Sequence, residues 1–103
     1  MGKVKTENQY QAELIKKLHK LYPQAIIIKN DSGYLQGVPD WTMFLGKVWI
    51  WFDVKRAPNA VHQPNQDWYI NWADEVGHLG MFVYPENEEE FLDAIQQALR
   101  IRR

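Results

Sequence analysis

The chain has 103 residues, 46% of them hydrophobic and 14% aromatic, with five tryptophans and a formal net charge of -1. That length suits one domain with a single core and a small sheet, and the absence of cysteine excludes a disulfide scaffold, a thiolate zinc site and a cysteine nucleophile. No apolar run is long enough to span a bilayer and nothing resembles a signal peptide, so a soluble, cytoplasmic or otherwise intracellular protein is expected.

Thr6-Glu7-Asn8-Gln9 has the form of a capping box, so a helix should begin there. Tyr10, Leu14, Leu18 and Leu21, with Ile15 and Tyr22 beside them, form an apolar stripe at helical spacing that Pro23 ends. Glu13 falls on the margin of that stripe, where an ion pair with Lys17 at i+4 is the simple expectation. Ala25 to Ile28 is a β-branched run and reads as a buried strand. Asn30-Asp31-Ser32-Gly33 and Gly37 supply turn chemistry before Pro39. Trp41 to Leu45 and Val48 to Lys55 read as paired strands joined by a Gly46-Lys47 turn.

Alternation in the second of these strands puts Val48, Ile50, Phe52 and Val54 on one face and Trp49, Trp51, Asp53 and Lys55 on the other. Asp53 and Lys55 then lie about 7 Å apart along the strand. Pro64 suits the first turn of a helix to about Val76, with Trp68, Tyr69, Trp72, Ala73 and Val76 on its apolar face and Gly77 or Gly80 at its end. Met81 to Tyr84 reads as a strand. Asn87 is placed to cap a last helix with Glu88, Glu89 and Glu90 in its first turn, Phe91, Leu92, Ile95, Ala98 and Leu99 on its core face, and arginines at its end. The predicted fold is therefore α/β: a mixed four-stranded sheet flanked by helices in the order α-β-β-β-α-β-α, with a parallel βαβ crossover near the end.

Charge is spread unevenly. Lys3, Lys5, Lys16, Lys17, Lys20 and Lys29 outnumber Glu7 and Glu13 in the first thirty positions, residues 67–99 are acidic with no lysine or arginine, and Arg100, Arg102 and Arg103 end the chain. A nucleic-acid enzyme of this composition must concentrate its basic groups near the site. Two aspartates, Asp40 and Asp53, with Lys55 two positions after the second, form the set that metal-assisted phosphodiester hydrolysis needs. Mg2+, with Mn2+ able to substitute, takes hard oxygen ligands, for which Asp40, Asp53 and the backbone carbonyl of Val54 are the candidates. Lys55 would orient or deprotonate the attacking water and offset charge on phosphate. The plainer alternatives are a Pro39-Asp40 turn and a solvated Asp53–Lys55 ion pair. An acid and a lysine at the end of an aromatic, β-branched central strand argue against the second of these.

Gly37-Val38-Pro39-Asp40, Asp53-Val54-Lys55 and Gln63-Pro64-Asn65-Gln66 together resemble the PD-(D/E)XK nuclease superfamily, and within it the VRR-NUC branch of small virus-type nucleases, over residues 7 to 84. The resemblance implies a restriction-endonuclease-like core, metal ligation by Asp40 and Asp53, and a catalytic role for Lys55. It also implies an added acidic site residue at Glu13, itself a possible metal ligand, and a polar residue, Gln66, lining the site from the second helix. It further implies a homodimer that cuts branched DNA, such as Holliday junctions, in repair or recombination, encoded by a phage in a bacterial host. Aspartate before Val54-Lys55 departs from the glutamate commoner in this branch; its shorter arm draws the metal towards the strand. Lys29, Arg56, His62, the N-terminal lysines and the C-terminal arginines are the candidate DNA contacts.

His19, His62 and His78 lack metal-ligand spacing, and the 57–60 loop has no phosphate-cradling glycines. Trp49 and Trp51 suit either base stacking or packing in a core or dimer interface. Two other readings compete with the nuclease: a non-catalytic nucleic-acid-binding or assembly module of the same fold, and a small interaction protein that dimerises through its tryptophans.

Overall fold

Thr6 and Gln9 do cap one another: the Thr6 hydroxyl accepts from the Gln9 N–H at 3.1 Å, and the Gln9 side-chain oxygen accepts from the Thr6 N–H at 2.9 Å. Helix α1 (Glu7–Leu21) follows, with Tyr10, Leu14 and Leu18 buried at four-residue spacing. The structure, a computed structural model, describes residues 5–31 and 33–101, the side chain of Ile101 aside. Lys3, Ser32, Arg102 and Arg103 lie outside the described residues.

Three strands come next: β1 (Ile26–Lys29), β2 (Trp41–Leu45) and β3 (Val48–Val54), then helix α2 (Gln66–Glu75), strand β4 (Leu79–Val83), a short 3-10 turn at Pro85–Asn87 and helix α3 (Glu88–Ile101). The sheet order is β1-β2-β3-β4, antiparallel except for the parallel β3–β4 pair that α2 connects. The described residues thus form the single α/β domain expected, with a mixed four-stranded sheet and three helices in the predicted order. Gly46, at φ 63°, turns the β2–β3 hairpin and sets Leu45 opposite Val48.

Both faces of β3 are covered, by different materials. Val48, Ile50, Phe52 and Val54 join Leu14, Leu18, Phe91 and Ile95 in a dry core between the sheet and α1 with α3. Trp49 and Trp51 face α2, where Trp51 meets Tyr69 edge-on at 5.7 Å and Trp49 stacks with Trp72 at 5.9 Å. Gly80 permits this close approach of α2, since a Cβ there would lie 2.1 Å from the Ile70 carbonyl oxygen.

Four local expectations are corrected. β1 is an exposed edge strand, with Ile26 and Ile28 facing solvent and only Ile27 partly buried against the core. Its β-branched run identified a strand, but a run without charge does not show which half of the sheet the helices cover. Pro64 does not open α2. Gln63-Pro64-Asn65-Gln66 is a type II turn, with Pro64 at its second position, Asn65 at φ 72° and ψ -6°, and the Gln66 N–H bonded to the Gln63 carbonyl at 3.2 Å.

Asn87 turns its side chain back onto the end of β4, accepting from the Tyr84 N–H at 2.8 Å and donating to the Phe82 carbonyl at 2.9 Å. Glu13 pairs with Lys5, while Lys17 reaches across to Glu88, which also accepts from the Tyr10 hydroxyl. Burial pushes the Glu88 carboxyl up, but the hydrogen bonds from Lys17 and Tyr10 outweigh it and hold the group below the usual carboxylate range. Burial, then the Glu88 contact, pushes the Tyr10 hydroxyl up. These contacts tie α1 to the start of α3.

Candidate active site

The hairpin register sets the site. Trp41 pairs with Phe52, so Asp40, one residue outside β2, lies across from Asp53, and its N–H donates to Asp53 Oδ1 at 2.9 Å. Asn30 fixes the same segment from the end of β1: its N–H donates to the Asp40 carbonyl at 2.7 Å and its side-chain amide to the Pro39 carbonyl at 2.8 Å. Asp40 is held through its backbone, and its half-buried carboxylate lines a polar cleft of about 250 Å³ with Gln36, Gly37, Val38, Gln63 and Gln66.

Asp53 is 1% exposed and its second oxygen lies 3.0 Å from Lys55 Nζ. The Lys55 ammonium also donates to the Gln66 side-chain oxygen at 3.0 Å and the Val61 carbonyl at 3.3 Å, and sits 5.9 Å from the centre of the Phe82 ring. Gln66 is itself fixed, its oxygen accepting from the Gln63 N–H at 2.8 Å. The type II turn therefore delivers the second helix's polar residue to the lysine. A charge pair this deeply buried is expensive to desolvate and is retained only where its geometry is good. The solvated-pair alternative does not describe it.

The Asp40 carboxyl is pushed up by burial first and by the Asp53 charge second; Lys29 and Lys55 pull it down, and Glu7 adds to the upward push. The Asp53 charge is thus held close enough to oppose the ionisation of Asp40, a conflict that a divalent cation relieves. The direction of the Val54 carbonyl is set by its peptide. The Lys55 N–H on the same trans peptide bonds Val83 in β4 at 2.8 Å, so the Val54 oxygen points away from β4, towards the β2 side of the strand. Among the described residues no three His, Asp or Glu side chains gather as a metal cage. Two carboxylates and a carbonyl with water completing the shell suit Mg2+, which keeps several waters.

Gln66 is thus brought to Asp40, Asp53 and Lys55, whereas Glu13 sits with Lys5, Tyr10, Lys17 and Glu88 in a hollow between α1 and α3. The first-helix acid whose field reaches Asp40 is Glu7. The signal was in the spacing: Glu7, Gln11, Leu14 and Leu18 form one helical stripe, and the Gln11 side-chain oxygen accepts from Trp41 Nε1 at 3.0 Å. Glu13 is about 100° round the helix from Leu14. Lys29 lies over the Trp41 ring at 5.2 Å from its centre. His62 stacks on Phe82 at 4.0 Å and its Nδ1 meets Asp67 at 3.0 Å. Arg56 is exposed directly after Lys55.

Comparison of the chain with protein-family models, with curated proteins and with solved structures gives no match. No helix among the described residues is long and apolar enough to cross a membrane. Any functional reading therefore rests on the site.

Proposed function

We propose that this protein is a Mg2+-dependent endodeoxyribonuclease. The observation that carries the reading is the meeting of Asp40 and Asp53 across the β2–β3 pair with Lys55 buried 3.0 Å from Asp53. Asp40, Asp53 and the Val54 carbonyl would hold the cation, which when bound neutralises charge on the scissile phosphate and acidifies a water. Hydrolysis forms one P–O bond to the water oxygen and breaks one P–O ester bond, with the water proton passing to solvent or to the departing alkoxide.

Lys55 contributes donors to this chemistry. Its ammonium is aimed by Asp53 and Gln66, and the contact to Val61 is its longest, so a phosphate oxygen or the attacking water can replace that partner. Gln66 keeps the lysine from collapsing onto Asp53 alone. Lys29, Arg56 and His62 flank the site and are the proposed phosphate contacts. The resemblance to VRR-NUC nucleases extends the proposal to branched DNA, Holliday junctions first, cut by a two-fold dimer because two symmetric strands must be nicked.

The test is incubation of a labelled four-way junction and a linear duplex with Mg2+ or Mn2+. Wild type should nick the junction, and Lys55→Ala and Asp53→Ala should each lose at least about a hundredfold in rate. Binding of both DNAs with nicking of neither would identify a non-catalytic binding module. Nicking by the variants at the wild-type rate would move the chemistry elsewhere.

A further inference from the structure

Helix α2 covers β3 and β4 but leaves the β1–β2 half of the same sheet face open. There Asn30, Val38, Thr42, Phe44, Trp49, Trp51 and Trp72 wall a hollow of about 400 Å³, within the range of small-molecule pockets and without a charged residue. Phe44 and Trp72 stand at its rim, 44% and 38% exposed. The floor is fixed by hydrogen bonds: Trp51 Nε1 donates to the Thr42 hydroxyl at 2.9 Å, and Thr42 donates to the Asn30 side-chain oxygen at 3.0 Å. Trp51 and Trp72 meet at 5.8 Å. An uncharged aromatic slot has nothing to offer a phosphate and much to offer a flat π-system.

The hollow adjoins the candidate active site. Val38 lines both the hollow and the cleft at Asp40, and Asn30, which lines the hollow, holds the Pro39 and Asp40 carbonyls. A strand with its phosphate at Asp40 therefore has the hollow beside it. We propose that this hollow receives an unpaired nucleobase from the strand held at Asp40 and Asp53, so that the protein selects DNA in which a base is already out of the stack. The proposal rests on the nuclease reading for the strand's position. Extruding a paired base costs a few kcal/mol and least where pairing is already lost, so an aromatic slot beside the scissile phosphate discriminates branched or bulged DNA from intact duplex without reading sequence.

Two duplexes of equal length test this, one fully paired and one with a single unpaired 2-aminopurine, titrated in Ca2+ with gels confirming intact strands. Wild type should quench the 2-aminopurine fluorescence and bind the bulged duplex about tenfold more tightly than the paired one. Phe44→Ala and Trp72→Leu should lose the quench and the preference while binding the paired duplex as wild type does. If Trp72→Leu does not fold, Phe44→Ala decides, because Phe44 lies at the rim outside the dry core.

Equal affinity for the two duplexes, or a quench that survives Phe44→Ala, overturns the proposal. So does light scattering in which Phe44→Ala turns a dimer into a monomer with the base preference unchanged, which would make the surface an interface between copies. Nicking in Mg2+ is scored separately. Base preference without nicking supports the hollow while the catalytic reading fails, and nicking without base preference does the reverse.

Discussion

Asp40 carries the sharpest conflict between stability and use. Burial and the Asp53 charge both disfavour its ionised form, so the folded group titrates above its ordinary value and the charged carboxylate destabilises the metal-free fold. The penalty is fully present above the raised folded value and disappears as pH falls below the unfolded one. Asp40→Asn should therefore raise the melting temperature near neutral pH, with a gain that vanishes below about pH 4. Adding Mg2+ should stabilise wild type and leave Asp40→Asn unchanged. Thermal melts across pH, with and without Mg2+, measure both. An Asp40→Asn protein that melts lower at neutral pH would mean the carboxylate is a structural partner rather than a strained ligand.

Glu7 and Glu13 form a matched pair of substitutions on one helix. Glu7→Gln should alter the Mg2+ concentration needed for half-maximal nicking, because Glu7 contributes to the field at Asp40. Glu13→Gln removes only an exposed pair with Lys5, worth at most about 1 kcal/mol, and should leave the metal dependence as it is. The reverse result would restore Glu13 to the site. That Asp40, Asp53 and Lys55 stand together was legible in the hairpin pattern, whereas Gln66 was indicated only by the resemblance, because the turn that brings it to Lys55 reads in sequence as the start of a helix. The first-helix acid was not legible, because choosing between Glu7 and Glu13 requires knowing which stripe of α1 faces the β2 end of the sheet.

At the scale of elements, the site depends on how α2 begins. Gly37 (φ 89°) packs against the Pro64-Asn65 turn so closely that a Cβ would lie 2.3 Å from the Pro64 carbonyl oxygen and 2.6 Å from Asn65 Cβ. Gly37→Ala is strained on both counts. It must push Gln66 away from Lys55 or shift Asp40, so it should destabilise the protein by about 1–3 kcal/mol and lower nicking more than stability alone explains. Gly46→Ala is the control, also at positive φ (63°) but with open space around it, and should cost about 1 kcal/mol with nicking intact. Urea melts and nicking rates on the two variants separate backbone strain from displacement of the site. The sequence showed Gly37 in a turn and Pro64 suited to the first turn of a helix. It did not show that the two touch, since contact between loops distant in sequence leaves no periodic trace.

The two sides of the sheet differ in kind across the whole molecule. Against α1 and α3 lies a closed aliphatic and phenyl core in which Leu18, Ile50, Phe52, Phe91 and Ile95 are fully buried. Against α2 lies a half-exposed tryptophan layer, and α2 itself buries Gln66, Ile70 and Ala73 while leaving Trp68, Trp72 and its C-cap Val76 exposed. Its N-cap, Asn65, makes no side-chain capping hydrogen bond. The helix that positions Lys55 through Gln66 thus rests on a partly exposed tryptophan layer rather than on the closed core. Amides of β3, of α1 around Leu14–Leu18 and of α3 around Phe91–Ile95 should exchange only through global unfolding, whereas those of α2 should exchange through a local opening of lower free energy. If Mg2+ and DNA bind at Asp40 and in the tryptophan hollow, they should slow exchange in α2 more than in α3, because Gln66 and Trp72 of α2 line those two hollows and α3 lines neither. Uniform protection of all three helices in hydrogen-exchange mass spectrometry would contradict this. It would mean that α2 is rigid without substrate, leaving Gln66 and Trp72 fully preorganised.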